Sequence, residues 1–163
     1  GQIEALWRAV VEERVAFVSS DHSSWPVDNK LTPSIFDAGA GVPGLETLLP
    51  AFFTGAARRG LDAARLTAEM LSARPARFFG LWPRKGGIVP GADADLVVLS
   101  PEPAEWDEGK AHDELRWSPF HGAVFDCKVA RTYVGGRLAW DGADVVNRVG
   151  DGRYVPRGTS RWF

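Results

Sequence analysis

Cysteine is almost absent from this sequence: Cys127 is the only one among 163 residues. A single thiol excludes an intrachain disulfide and a zinc site built from cysteines, and it is compatible with a reducing cytoplasm. Histidine is scarce as well, with three residues, and no His-x-His pair occurs. The side chains that most often build a transition-metal centre are therefore largely missing.

Long apolar runs and an excess of one charge are also missing. No apolar stretch approaches the roughly 20 residues of a membrane-spanning helix, and no signal peptide is recognisable at the N-terminus. The formal net charge is −2, without a basic run, which argues against nucleic acid or a membrane surface as a partner. With 45% hydrophobic and 25% charged residues, the composition predicts a cytoplasmic globular chain with a real core.

The first half of the chain has the pattern of helices around one short strand. Apolar spacing predicts an amphipathic helix over 2–13, and a buried strand over 15–19 follows it. A loop then runs from His22 to about Val42, a length typical of functional or disordered segments. Further helices are expected over 45–59, with Pro50 as a kink or first-turn boundary, over 62–73, and from Pro75.

The second half is rich in β-branched residues between glycine, proline and aspartate turns. Strands are expected over 95–99, 123–134 and 137–140, and the pair Gly135-Gly136 predicts a tight hairpin between the last two. We place the boundary between the halves near Gly86, so that residues 1–85 and 86–163 form two parts. The glycine-rich tail from Gly150 is expected to lie over a neighbouring surface.

Asp21 is the first candidate for chemistry, because it stands directly after the apolar run 15–18 and the pair Ser19-Ser20. The C-terminal tip of a buried strand is where α/β barrels place their catalytic groups. A carboxylate that caps a turn or helix is the alternative. Together with the segment Gly86–Leu99, Asp21 suggests a metal-dependent hydrolase that lacks most of its active site in this chain.

Five segments in the right order carry a family resemblance, and they cover nearly the whole chain. They are Ser19-Ser20-Asp21-His22, Gly41–Thr47, Ala73–Leu81, Gly91–Val98, and Ser118–Gly122 followed by Val129–Gly136. In this order they resemble the C-terminal part of the cyclic amidohydrolases, the group of dihydropyrimidinase or hydantoinase, allantoinase and dihydroorotase.

The resemblance implies an α/β fold: the C-terminal portion of a metal-dependent (β/α)8 amidohydrolase barrel followed by β-sandwich strands. Residues 1–85 would contain barrel strand eight, over 15–19, and its partner helix over 45–59, with the following helices. Residues 86–163 would be the C-terminal share of the sandwich and the tail.

For the chemistry, the resemblance implies hydrolysis of a C–N bond in a small cyclic amide or ureide. Asp21 would be a ligand of one of two divalent ions, expected to be zinc, and the general base. A bridging water between two ions ionises near neutral pH, and an adjacent carboxylate can pass its proton to the leaving nitrogen. His22 would support the metal site from the second shell, or serve as a structural hydrogen-bonding histidine.

The loop after Asp21 would form part of the substrate wall. By the resemblance, backbone groups of Ala40 and Gly41 hydrogen-bond the ring, where small residues allow close approach; a plain glycine-rich turn is the alternative. Trp25 departs from dihydroorotase, in which a second histidine helps to bind the substrate carboxylate. This favours a hydantoinase-like or allantoinase-like pocket with an aromatic wall.

The family's other metal ligands, a His-x-His pair, a carboxylated lysine and further histidines, have no counterpart in this chain. The chain is thus expected to be the C-terminal third of a longer enzyme, to bind no metal pair alone and to be inactive alone. The whole protein would form dimers or tetramers. His112 and His121 are predicted to be surface or structural residues. Two alternatives stay open: a non-catalytic dihydropyrimidinase-related scaffold acting through assembly, and a stand-alone α/β module.

Overall fold

The computed structural model describes residues 1–160, which form a mixed α/β chain. Helix α1 spans Gln2–Val11, α2 Leu48–Ala57, α3 Ala63–Ala68 and α4 Arg74–Phe78, and a π-helical turn over Glu69–Ala73 joins the last two. Short 3-10 turns lie at Val27–Asn29 and Glu108–Lys110. The helices expected from the sequence are confirmed, and the two expected over 62–73 and from Pro75 are one continuous helical run.

The π-helical turn has a cause in the sequence. Arg74 N–H donates to the carbonyl of Glu69, five residues back, and the next donor in that pattern is Pro75, which has no N–H. The carbonyl of Met70 is thereby left for another donor, and the N–H of Val18 takes it at 3.1 Å. This bond holds the segment after α1 against the helical run.

That bond also explains why the strand expected over 15–19 is wrong. A strand needs a ladder of hydrogen bonds to a neighbour, and no segment among residues 1–160 pairs with 15–19 in this way. The residues instead contact the helical run: the Phe17 ring lies 5.2 Å and 5.8 Å from those of Phe78 and Phe79.

The apolar face expected on α1 is also not buried among the described residues. Val10 is buried, but Ile3 and Leu6 are 67% and 65% exposed. The amphipathic pattern predicted the helix correctly, because i, i+3, i+4 spacing is a property of the helix itself. Burial needs a covering surface, and residues 1–160 supply none at these positions.

Residues 1–160 contain five strands: β1 (Leu96–Ser100), β2 (Ala104–Glu105), β3 (Val124–Phe125), β4 (Lys128–Val134) and β5 (Arg137–Trp140). One sheet has the order β1-β4-β5, and β2 pairs with β3 in antiparallel register. The antiparallel hairpin of β4 and β5 pairs Val134 with Arg137 across Gly135-Gly136, both at positive φ, so the predicted hairpin is confirmed. A bulge interrupts it between Thr132 and Tyr133.

The resembling segment Gly91–Val98 has a structural role at this hairpin. Asp95 Oδ1 accepts the N–H of Gly135 at 2.7 Å, and Lys85 forms ion pairs with Asp93 and Asp95. Hydrogen bonds from Lys85 and Arg84 lower the pKa of Asp93. The acidic pair therefore ties the turn between β4 and β5 to the loop before β1.

The contacts divide the chain into two units, and each is drawn from separated stretches. Unit 1 comprises residues 1–18, 64–97 and 131–160 of the described chain, and unit 2 comprises 19–63 and 98–130. The core of unit 1 includes Leu66, Met70 and Ala76, of which Met70 is fully buried. The barrel-to-sandwich boundary near Gly86 concerns the architecture of a larger protein and stays a prediction.

Unit 1 also includes part of the glycine-rich tail. Gly158 N–H donates to the carbonyl of Gly80 at 2.7 Å, and Gly80 has φ +69 and no room for a Cβ there. Residues 161–163 of the expected tail, among them Trp162, lie outside the described residues.

Unit 2 is built on α2 and the β2–β3 pair. Helix α2 begins three residues later than expected from the sequence, and Pro50 fits its first turn, where an N–H has no helical partner. Its buried Thr54 accepts the N–H of Asp126 at 2.8 Å, and Arg58 binds the Asp126 carboxylate through two nitrogens. The hydrogen bond from Arg58 lowers the pKa of Asp126. Gly60, at φ +69, ends the helix as predicted.

Candidate functional site

Asp21 lies at the start of unit 2 in an unusual backbone conformation. Its φ is +46, a region that is uncommon for residues other than glycine and is often found at functional sites. The side chain is exposed, and no residue of the described chain donates a hydrogen bond to its carboxylate or pairs with it. A capping carboxylate would accept a backbone N–H, so the capping alternative is wrong for Asp21.

His22 is half-buried, and its ring is aimed at the far end of the loop. Its Nδ1 lies 3.2 Å from the amide nitrogens of both Gly44 and Leu45. Two N–H donors at one ring nitrogen require that nitrogen to be an unprotonated acceptor, which places the ring proton on Nε2. His22, the residue next to Asp21, therefore holds the end of the loop through hydrogen bonds. Within the described chain its role is a hydrogen-bonding one.

Two more side chains hold the loop segment over residues 39–41. The Ser23 hydroxyl donates to the carbonyl of Ala40 at 2.9 Å. The Lys30 ammonium donates to the carbonyl of Gly41 at 2.7 Å and also to that of Gly39. Three consecutive carbonyls thus have side-chain donors, while the N–H groups of Ala40 and Gly41 donate to no residue of the described chain. The two predicted substrate-binding residues are ordered and have unused backbone donors.

Trp25, the predicted aromatic wall, lies directly on this segment. A Cβ added to Gly39 would be 2.6 Å from Trp25 Cδ2, so only glycine leaves room for the indole. The Trp25 carbonyl accepts the indole N–H of Trp117 at 2.8 Å, and the Lys30 ammonium is 5.9 Å from the centroid of the Trp117 ring. Trp25 itself is 42% exposed.

Sequence reasoning missed Trp117 and Lys30. The signal that could have found Trp117 was weak: it is one of seven tryptophans, 92 residues from its partner Trp25. We refer to Asp21, His22, Ser23, Trp25, Lys30, the segment 39–45 and Trp117 as the loop site. Its members come from unit 2 throughout.

The two remaining histidines are exposed, in line with the surface or structural role expected for them. His112 binds Glu46 with its backbone N–H at 2.7 Å and with Nδ1 at 3.1 Å, and His121 Nδ1 lies 3.8 Å from Glu108. A shallow, solvent-open cleft lies beside Glu46 and is lined by Trp106 and Trp117 among others.

The residues of the described chain do not fit a complete metal centre. Nowhere among residues 1–160 do three or more histidine, cysteine, aspartate or glutamate side chains come together in a way that could hold an ion. Asp21 has a free carboxylate for one ligand position, and His22 directs Nδ1 to the backbone. A centre of the expected kind needs ligands from beyond these residues.

Within residues 1–160, every helix falls short of the length and apolar character of a membrane span.

The sequence is similar to several cyclic amidohydrolases. It is 42% identical over 156 residues to an allantoinase of Rubrobacter xylanophilus, covering 94% of this chain and 34% of that protein. It is 40% identical over 153 residues to a dihydroorotase of Halobacterium salinarum, covering 93% and 35%. The chain thus spans about a third of the length of these relatives. The two identities are nearly equal, so they do not show whether the chain is more similar to the allantoinases or to the dihydroorotases. The argument from Trp25 against dihydroorotase therefore stays a prediction.

The fold is similar to solved structures of the same group. A D-hydantoinase (dihydropyrimidinase) from Thermus sp. superposes with a TM-score of 0.89 at 28% identity, over 97% of this chain and 35% of that one. An L-hydantoinase (dihydropyrimidinase) from Arthrobacter aurescens gives 0.83 at 31% identity, over 93% and 34%. These chains bear out the resemblance found in the sequence.

The sequence profile of the amidohydrolase family matches residues 58–139, half of the chain. Of the loop site, that match includes Trp117 but not residues 21–45, whereas the similarity to the allantoinase extends over 94% of the chain. This chain belongs to the amidohydrolase family.

Proposed function

We propose that the protein carrying this chain hydrolyses a C–N bond of a small cyclic amide or ureide, and that the loop site forms part of its active site. The observation that carries the proposal is an unpaired, exposed carboxylate at positive φ on Asp21, in a loop site where the N–H groups of Ala40 and Gly41 donate to no residue of the described chain and side chains hold the carbonyls of both residues. Free carboxylates and fixed N–H groups are what acyl transfer to water requires.

In the proposed reaction, the Asp21 carboxylate accepts a proton from the attacking water as the oxygen bonds to the ring carbonyl carbon. The tetrahedral intermediate then expels the ring nitrogen, and Asp21 returns the proton to it, giving a carboxylic acid and an N–H group. The backbone groups of Ala40 and Gly41 hydrogen-bond the ring, and Trp25 contacts its face or substituent. His22 keeps the loop end at a fixed distance from Asp21.

Metal dependence belongs to the same proposal. Asp21 would provide one carboxylate ligand for a pair of divalent ions, expected to be zinc, which when bound supply an activated water. The other ligands would come from outside the described residues, so this chain by itself is expected to be inactive. We further propose that residues 1–85 are the last part of a (β/α)8 barrel and 86–163 a share of a β-sandwich. A cytoplasmic dimer or tetramer is expected for the whole protein.

The test is Asp21→Asn in the full-length protein, assayed on hydantoin, dihydrouracil, allantoin and dihydroorotate together with metal analysis. We expect a loss of kcat on the order of a hundredfold or more, as for removal of a general base. Asp28→Asn, an exposed carboxylate in the same loop, is the matched control. Equal activity of the two variants would remove Asp21 from the chemistry. The names of the relatives lend no support to the scaffold alternative.

A further inference from the structure

Lys30 directs its charge to the protein backbone and not to an acidic side chain. Its ammonium donates to the carbonyls of Gly39 and Gly41, and among the described residues it has no carboxylate partner. The residue is half-buried, and the Trp117 ring lies 5.9 Å away. A lysine that served only solubility would extend into water, as Lys110 does with 84% of its side chain exposed.

One carbonyl that Lys30 binds shares its peptide group with an N–H of the segment that is proposed to contact the ring. The carbonyl of Gly39 and the N–H of Ala40 are parts of one peptide unit, so a cation at that oxygen draws electron density from that N–H. Hydrogen bonds polarise one another along such a chain, and charged donors bind more strongly than neutral ones. The Ala40 N–H has no acceptor within the described chain, so it is available to a ligand.

We propose that Lys30 is a positioning residue for substrate binding, which fixes the segment 39–41 through two carbonyls and strengthens the Ala40 N–H as a donor. This rests on the proposed function, in which that segment contacts the ring. Ser23 holds the intervening carbonyl of Ala40 at 2.9 Å. The loop therefore presents its backbone to the ligand in one conformation, and little ordering is left to occur on binding.

The experiment compares Lys30→Met, Lys30→Arg and the control Lys110→Met in the full-length protein. Lys30→Met retains an apolar stem without the charge, and arginine can still donate to two carbonyls. Amide hydrogen exchange is followed in α2 and at Ser23 and Gly39, whose N–H groups donate to the carbonyls of Val42 and Asn29. The values of kcat and KM are measured for the best ring substrate.

We expect Lys30→Met to speed exchange at Ser23 and Gly39 on the order of tenfold, while α2 exchanges as in the control. KM should rise by a similar factor with kcat changed by less than about threefold, since the lost interaction is one of binding. Lys30→Arg should recover most of both effects. A purely structural lysine would instead speed exchange in α2 as well and leave KM unchanged in the folded protein.

The proposal is overturned if Lys30→Met matches Lys110→Met in exchange and in KM, if exchange in α2 speeds up as much as at Ser23 and Gly39, or if arginine gives no recovery. If the unaltered protein hydrolyses no substrate of the panel, the proposed function fails. The exchange data then still decide whether Lys30 holds the segment.

Discussion

Replacing Gly41 with alanine should distort the backbone that is proposed to bind the ring. Gly41 has φ +90, and a Cβ there would lie 2.6 Å from Ser23 Cβ and 3.0 Å from Ser23 Oγ. The positive φ costs about 1–2 kcal/mol for any other residue, and forcing two carbons this close adds about 1–2 kcal/mol. We expect a loss of about 2–4 kcal/mol in the free energy of ordering the loop.

Gly91→Ala is the matched control, because Gly91 has φ +88 but no heavy atom within 4 Å of the added Cβ. Both variants have the backbone strain, and only Gly41→Ala has the contact. Urea denaturation is measured for each, together with amide exchange at Ser23, whose N–H donates to the carbonyl of Val42. The contact with Ser23 should appear as an excess of about 1–2 kcal/mol in the Gly41 variant.

A double-mutant cycle tests whether the contact between the added Cβ at position 41 and Ser23 causes the excess loss. Ser23→Gly removes the clashing Cβ, so Gly41→Ala should cost less in that background than in the unaltered chain. The reasoning is refuted if Gly41→Ala costs no more than Gly91→Ala, or if the cycle shows no coupling. In the full-length protein Gly41→Ala should lower kcat/KM on the order of tenfold or more, since about 1.4 kcal/mol corresponds to a factor of ten.

Met70→Ala should lower the free energy of unfolding by about 2–5 kcal/mol, because the side chain is fully buried, and urea denaturation measures this. The free energy of unfolding should decrease as the pH falls below the ordinary aspartate pKa of about 3.9, because the hydrogen bond from Arg58 lowers the pKa of Asp126. That stabilisation is present above the unfolded-state pKa and is lost as the pH falls through the folded value; an unchanged acid profile in Asp126→Asn would contradict it. Burial raises the pKa of the Cys127 thiol, so a thiol reagent should label it only when urea unfolds the chain; rapid labelling of the native chain would show the thiol to be accessible.

Local signals in the sequence predicted local structure well. Gly135-Gly136 between two β-branched runs identified the hairpin, because both positions require positive φ. Gly60 marked the end of α2 for the same reason. Periodicity found α1, although its apolar face at Ile3 and Leu6 is exposed. Burial depends on what covers a helix, and periodicity carries no information on that.

The strand expected over 15–19 failed because a strand is a relation between two segments. An apolar run shows that residues avoid water, and here the run packs on aromatic rings and bonds the Met70 carbonyl. At the loop site, the sequence indicated Asp21 and the glycine-rich end, but not Lys30 or Trp117. Their contacts join positions 9 to 92 residues apart, and no local pattern encodes such pairs.

The missing hydrogen of Pro75 has an effect that reaches far along the chain. Because the imino acid cannot donate, the Met70 carbonyl in the helical run must find its donor in the segment after α1, and Val18 is the residue that provides it. Inserting or deleting one residue between Ala63 and Met70 would turn that oxygen by about 100° around the helix axis. The register of the helical run therefore sets which oxygen the N–H of Val18 can reach.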